Sequence, residues 1–180
     1  MKSSGLSRRI EKSIELLIAK DYESVLLNLF PAMEKTAKKR YPKHKVGERF
    51  KMFIREECRY MTGLTTSSSI GNIASKDMDL AEAIYKFARN PLIHEAELDF
   101  RISINENDQI TFGPDYWSIP TFLLLGMILV VILAPENKNE SGCNNYHCEI
   151  FGNIHLFGEL WGKKSIMKKK LEEKNWLERF

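Results

Sequence analysis

Apolar positions recur every three to four residues through the first half of the chain, and each run reads as one face of a helix. Ile10, Ile14, Leu17 and Ile18 make such a face behind Ser7, a residue type that caps helix starts, and the run closes near Lys20. Asp21 or Tyr22 opens a second helix carrying Leu26, Leu29, Phe30, Met33 and Ala37. Pro31 inside it predicts a kink or a split, because proline lacks the amide proton that an inner turn uses. A third helix is expected from about Val46 to Met61, with Phe50, Phe53, Ile54 and Cys58 facing inward. The Thr-, Ser- and Gly-rich stretch from Thr62 to Lys76 breaks the pattern and reads as a flexible loop. A fourth helix begins around Asp77 and runs through Leu80, Ile84 and Phe87. It is expected to stop or kink at Asn90, since a following proline biases that residue away from helical dihedrals.

The period then changes to two. Leu98, Phe100, Ile102 and Ile104 alternate with Asp99, Arg101 and Ser103, and Ile110 and Phe112 resume the alternation after the turn residues Asn105 to Asp108, so a β-hairpin is expected. Ile119 to Ala134 is apolar on every side. As a helix it spans about 24 Å, short of the roughly 30 Å hydrocarbon core, and it reads as the buried centre of a bundle rather than a membrane span. The stretch from Leu156 onward, with Leu160, Trp161, Ile166, Met167, Leu171, Trp176 and Leu177, reads as a basic helix. The whole is expected to be one domain, 1–180, with a core of about 22–134 and a C-terminal loop and basic helix over 137–180.

Charge and chemistry refine this picture. The net charge of +3 permits RNA as a partner without demanding it, yet residues 1–60 hold 15 Lys plus Arg against 8 Asp plus Glu. Within that excess, Lys35, Lys38, Lys39 and Arg40 form a run that could meet an RNA backbone, although most such runs are solvated helix faces. Three scattered cysteines, Cys58, Cys143 and Cys148, and an amphipathic rather than apolar N-terminus predict a reducing, cytoplasmic setting. Cys143, His147, Cys148 and His155 are four potential zinc ligands within 13 residues, but their spacing matches no standard zinc module, and adjacent His147 and Cys148 would strain a tetrahedral site. No metal or cofactor is therefore expected.

The densest chemistry lies in Arg89-Asn90-Pro91-Leu92-Ile93-His94. Arg89 is a permanent cation that forks two donors onto a phosphate, and His94 belongs to the one side-chain type that titrates near neutrality. The spelling resembles the Arg-Asn-x-x-x-His signature of the HEPN family (higher eukaryotes and prokaryotes nucleotide-binding), and Leu26 to Lys39 also resembles its plasmid- and defence-associated members. The likeness covers Tyr22 to about Ala134. It implies a mainly α fold, an up-and-down helical bundle with the small β-hairpin inserted after the motif helix. It further implies a metal-independent RNA endonuclease of toxin, antiviral or abortive-infection type. Arg89, Asn90 and His94 would be catalytic, RNA the substrate, a homodimer the working unit and an antitoxin or regulatory protein a potential partner. The alternative is a non-catalytic HEPN module that binds nucleic acid or a partner protein. Arg89 at a helix end and a half-buried His94 also have plain structural readings. Two departures stand out: Pro91 lies inside the motif, and Glu95-Ala96-Glu97 follows His94 where nucleotidyl-regulated relatives carry a tyrosine.

Overall fold

The computed structural model describes residues 4–66, 68–113 and 115–173, and it is mainly helical. Helix α1 (Gly5–Ile18) buries Leu6, Ile10 and Ile14 and is capped not by Ser7 but by Ser4, whose hydroxyl accepts from the Leu6 and Ser7 amides. Ser7 is buried and donates to the Ser141 carbonyl instead, tying α1 to the C-terminal third of the chain. Helix α2 (Tyr22–Arg40) is capped by Asp21 and passes through Pro31 without splitting. Helix α3 (Val46–Gly63) buries Phe50, Phe53, Ile54 and Cys58, the four residues its periodicity marks as inward, and adds Met61.

The centre belongs to α6 (Thr121–Leu133), reached after the short helices described below. It packs against α1, α2 and α3, and Leu123, Leu124 and every residue from Met127 to Leu133 is buried. Each such side chain contributes about 1.5–3 kcal/mol by leaving water. The helix approaches α3 so closely that a methyl group on Gly126 would stand 2.3 Å from the Met61 carbonyl oxygen, which explains why the one small residue of this run sits there. No described helix is long and apolar enough to cross a membrane.

The loop after α3 is pinned back onto the end of that helix. The Thr62 hydroxyl accepts from the Ile70 amide at 2.9 Å, and Ser69 donates to the Arg59 carbonyl. Helix α4 (Leu80–Ala83) is capped by Asp79 rather than Asp77. A π-helical turn (Ile84–Arg89) follows, and α5 (Asn90–His94) continues it.

The sheet differs from the expected hairpin. Strands β1 (Ile102–Asn105) and β2 (Thr111–Phe112) do not pair with each other. Both pair with a third strand, β3 (Trp117–Pro120), parallel to β1 and antiparallel to β2, giving the order β1-β3-β2. Ser118 and Pro120 read as a helix entry, whereas Trp117 and Ile119 point their side chains into the core and make this segment a strand first. Leu98 and Phe100 lie before β1, and Phe100 is 93% exposed. A second hairpin, β4 (His147–Ile150) with β5 (Asn153–Leu156), takes Leu156 out of the expected C-terminal helix. That helix, α7, spans Lys164–Glu173 and buries Met167 and Leu171; Trp176 and Leu177 lie outside the described residues.

Candidate functional site

The motif helix does not stop at Asn90, whose φ of −67° and ψ of −50° are helical. Pro91 has no amide proton to give to the Phe87 carbonyl four residues back, and that carbonyl accepts instead from the Asp99 amide at 3.0 Å. The missing helical bond is thereby replaced by one to the chain leading into β1. The preceding turn is wound as a π-helix, with the Asn90 amide reaching Tyr85. One extra residue in a turn rotates everything beyond it by about 100°, and such turns occur often at functional sites. The apolar side of this composite helix, Leu80, Ala83, Ile84, Phe87, Ala88 and Leu92, is buried.

Arg89 and Asn90 meet: the Arg89 Nη1 donates to Asn90 Oδ1 at 3.1 Å. The Nη2 donates to Glu34 Oε2 at 3.2 Å, and the guanidinium lies 5.6 Å from the centre of the Tyr85 ring. The same Glu34 carboxylate stands 3.8 Å from Nη2 of Arg49, whose Nη1 donates to the His44 carbonyl at 3.4 Å. Tyr85 is seated against the first turn of α3, where a methyl on Gly47 would come within 2.5 Å of its hydroxyl oxygen. In both arginines Nε–H is buried without a partner among the described residues. Both guanidinium side chains are only 13% exposed. The cluster therefore holds two cations against one anion.

His94 is not part of that cluster. It ends α5 and is exposed, and its side chain makes no hydrogen bond or ion pair with a described residue. In α-helical geometry, five residues leave Arg89 and His94 about 140° apart around the axis, which accounts for their separation within one chain.

The basic run divides in two. Lys35 and Lys38 are exposed on α2. Lys39 donates to Asn137 Oδ1 at 2.9 Å and lies 3.4 Å from Glu140. Arg40 forks onto Glu136 at 2.7 and 3.1 Å, reaches Glu57 at 2.5 Å and Glu56 at 3.2 Å, and covers the Phe53 ring. Glu57 is fully buried and also takes Lys164 at 2.6 Å. Burial alone would weaken the charge on Arg40, but the Glu136 and Glu57 carboxylates outweigh it and raise its pKa. Burial likewise works against the Glu136 carboxylate, yet its bonds to Arg40 hold it below the usual carboxylate range. Tyr41, half-buried and bonded to Glu56, is pushed up to about 12.

The four residues considered as zinc ligands do not converge. Cys148 pairs with His155 across β4 and β5, and His147 with Leu156, so neighbouring His147 and Cys148 project from opposite faces of the strand. Burial pushes the Cys143 thiol up to about 12 and Cys148 up to about 11, away from the thiolate a metal needs. Among the described residues, no group of three or more His, Cys, Asp or Glu side chains could hold a metal ion.

The sequence-based reading missed Glu34 and Arg49, which come from α2 and the first turn of α3. Their only signal was an acid next to the lysine run of α2 and an arginine just inside a helix start. The site thus belongs to a mainly helical domain whose motif helix is backed by two other helices and a three-stranded sheet. The chain matches the Rv1289 family over residues 5–179 and belongs to it. It is 24% identical over 179 residues to the uncharacterized proteins Mb1320 of Mycobacterium bovis and Rv1289 of Mycobacterium tuberculosis, covering 88% of this chain and 83% of each relative. No solved structure matches the chain.

Proposed function

We propose that the protein is a metal-independent RNA endonuclease with a HEPN-like fold, acting in the cytoplasm as a toxin or abortive-infection effector. One observation supports the reading: a single helical run carries a guanidinium at Arg89, an amide beside it at Asn90, and at its end a histidine, His94, whose exposed side chain is bonded to no described residue. Exposed and unengaged, the imidazole is accessible to a ligand. Ile93 beside it and Phe100 shortly after are exposed apolar side chains, of the kind that a second protomer covers. A homodimer about a two-fold axis would bring two such helices together and supply the convergence that one helix denies.

The chemistry follows from these groups. The ribose 2′-oxygen attacks the adjacent phosphorus as one His94 takes its proton. A new 2′-O–P bond forms, the P–O5′ bond breaks, and a histidinium returns a proton to the departing 5′-oxygen. Arg89 stabilises the charge gathering on the phosphoryl oxygens, and Asn90 fixes the Arg89 fork. The products are a 2′,3′-cyclic phosphate and a 5′-hydroxyl. DNA, with no 2′-hydroxyl, is not a substrate. Lys35 and Lys38 offer the exposed cations for backbone contact. The purified protein should cut total RNA in EDTA and lose this on His94→Ala; cleavage that needs added divalent metal, or that survives the substitution, refutes the reading.

The pairing of Arg89 with Glu34 favours one alternative, a non-catalytic module in which this arginine is structural. Retained RNA binding without any cleavage would identify it.

A further inference from the structure

Arg49 and Arg89 come from different helices, Arg49 in the first turn of α3 and Arg89 at the end of the π-helical turn, and the fold aims both at one carboxylate. The match between donors and acceptor is poor. Glu34 takes a hydrogen bond from Arg89, but its other oxygen stands 3.8 Å from Arg49, well beyond the 2.7–2.9 Å typical of a charge-assisted bond. Each guanidinium keeps a buried Nε–H with no partner among the described residues. A buried donor left unpaired costs free energy, and two in one place, beside an unbalanced positive charge, describe a site completed by something else. What it lacks is an anion whose charged oxygens are spread on a tetrahedral centre, with enough reach to touch both forks. A phosphodiester meets that description.

We propose that Arg49 is a second phosphate-binding residue of this site and that Glu34 is an internal anion which holds the two guanidiniums in place until an RNA phosphate displaces it. The proposal rests on the ribonuclease reading for the identity of the ligand, and it adds a residue and a means of restraint that the motif does not contain. Tyr85 supports it mechanically. Its ring lies beneath Arg89 and against Phe50 and Lys51, so the Arg89 fork stays aimed when Glu34 leaves. Glu34, at 22% exposure, has solvent to swing into.

The two residues should act with opposite sign, and Arg49→Lys, which keeps the charge but not the fork, separates a bound phosphate from charge alone. The probe is a short 2′-O-methyl RNA oligonucleotide, uncleavable because its 2′-oxygens are blocked, with affinity read by fluorescence anisotropy. Arg49→Ala should weaken binding about 10-fold, as expected for a lost bond to a charged group, and lower the salt dependence by about one phosphate contact. Arg49→Lys should recover only part of this, since it keeps the charge and loses the fork. Glu34→Gln should tighten binding several-fold. If Arg49 and Glu34 form only a structural pair, both substitutions disturb the same contact and shift affinity the same way, or not at all. Either result overturns the proposal, as does a wild type that fails to bind the probe. Circular dichroism confirms that each variant is folded, and Arg49→Lys stands in should Arg49→Ala fail. The two readings fail separately. Cleavage that depends on His94 with Arg49→Ala unchanged in KM and affinity leaves the nuclease and removes the second cation. Opposite shifts in a protein that cuts no RNA leave the phosphate site and remove the nuclease.

Discussion

Helix α2 carries two ionic clusters less than two turns apart, and they are built on opposite plans. Around Arg40, the cations Lys39, Arg40 and Lys164 face four carboxylates, Glu56, Glu57, Glu136 and Glu140, and the Arg40 fork is taken up on both sides. Around Glu34, two arginines share one carboxylate and keep donors in reserve. The first cluster joins α2, α3, the turn after α6 and the start of α7, and its groups are directed at one another. The second joins α2, α3 and the motif helix and is left short of negative charge. A network whose cations are all taken up by carboxylates serves the fold, even though Glu57 Oε2 stays buried without a partner among the described residues; one that keeps cationic donors unpaired suits, under the proposal made above, an anionic ligand.

Substitutions should expose this contrast, beginning with catalysis. His94→Ala is expected to lower RNA cleavage by about 10²–10⁴-fold, the usual worth of a positioned acid–base group, with little change in urea unfolding because the side chain is exposed. Arg40→Ala should do the reverse of that and show in stability. It leaves the buried Glu57 carboxylate with Lys164 alone and the half-buried Glu136 without its fork, a loss of about 3 kcal/mol by analogy with other broken buried pairs, read from the unfolding midpoint. Gly126→Ala should cost about 1–3 kcal/mol through overpacking against Met61, and because it moves a helix that both clusters lean on, it is the control that favours neither. Acid should act on the paired carboxylates, those of the Arg40 cluster and Asp99 before β1. The folded Glu136 and Glu56 carboxylates lie below their ordinary range despite burial, through Arg40 and, for Glu56, Tyr41, and Asp99 falls to about 2 through its hydrogen bond to Arg101. Their stabilising effect is complete above the ordinary carboxylate pKa and is lost as pH falls through the folded values. Unfolding midpoints between neutrality and about pH 3 should therefore decline less steeply in Asp99→Asn than in wild type. The smallest effect belongs to Lys35→Ala with Lys38→Ala, a drop of about one or two in the slope of log affinity against log salt.

Much of the fold could be read from spacing alone. The inward faces of α2 and α3 follow the 3.6-residue period, that of α1 follows it through Ile10 and Ile14 but not to Ile18, which is 69% exposed at the helix end, and the all-apolar run that becomes α6 identified the centre of the bundle. The errors have local causes. Asn90 stays helical because a distant amide, that of Asp99, takes over the carbonyl Pro91 leaves unbonded, and no window on the sequence shows such a donor. Strand β3 was hidden because its four residues abut the apolar helix and share its hydrophobicity. Arg89, Asn90 and His94 were visible because they are neighbours. Glu34 and Arg49 were not, since an ion pair across helices leaves no periodic trace.

The bond between the Asp99 amide and the Phe87 carbonyl, with Arg101 lying 4.2 Å from the centre of the Phe87 ring, couples the motif helix to the sheet edge. A proline inside a helix ordinarily loosens it, whereas here the vacancy is filled from outside, so the segment bearing His94 is cross-braced to β1. Whatever disturbs that strand, whether a docking partner or strain from a bound polymer, is thereby transmitted to the angle at which the imidazole is offered.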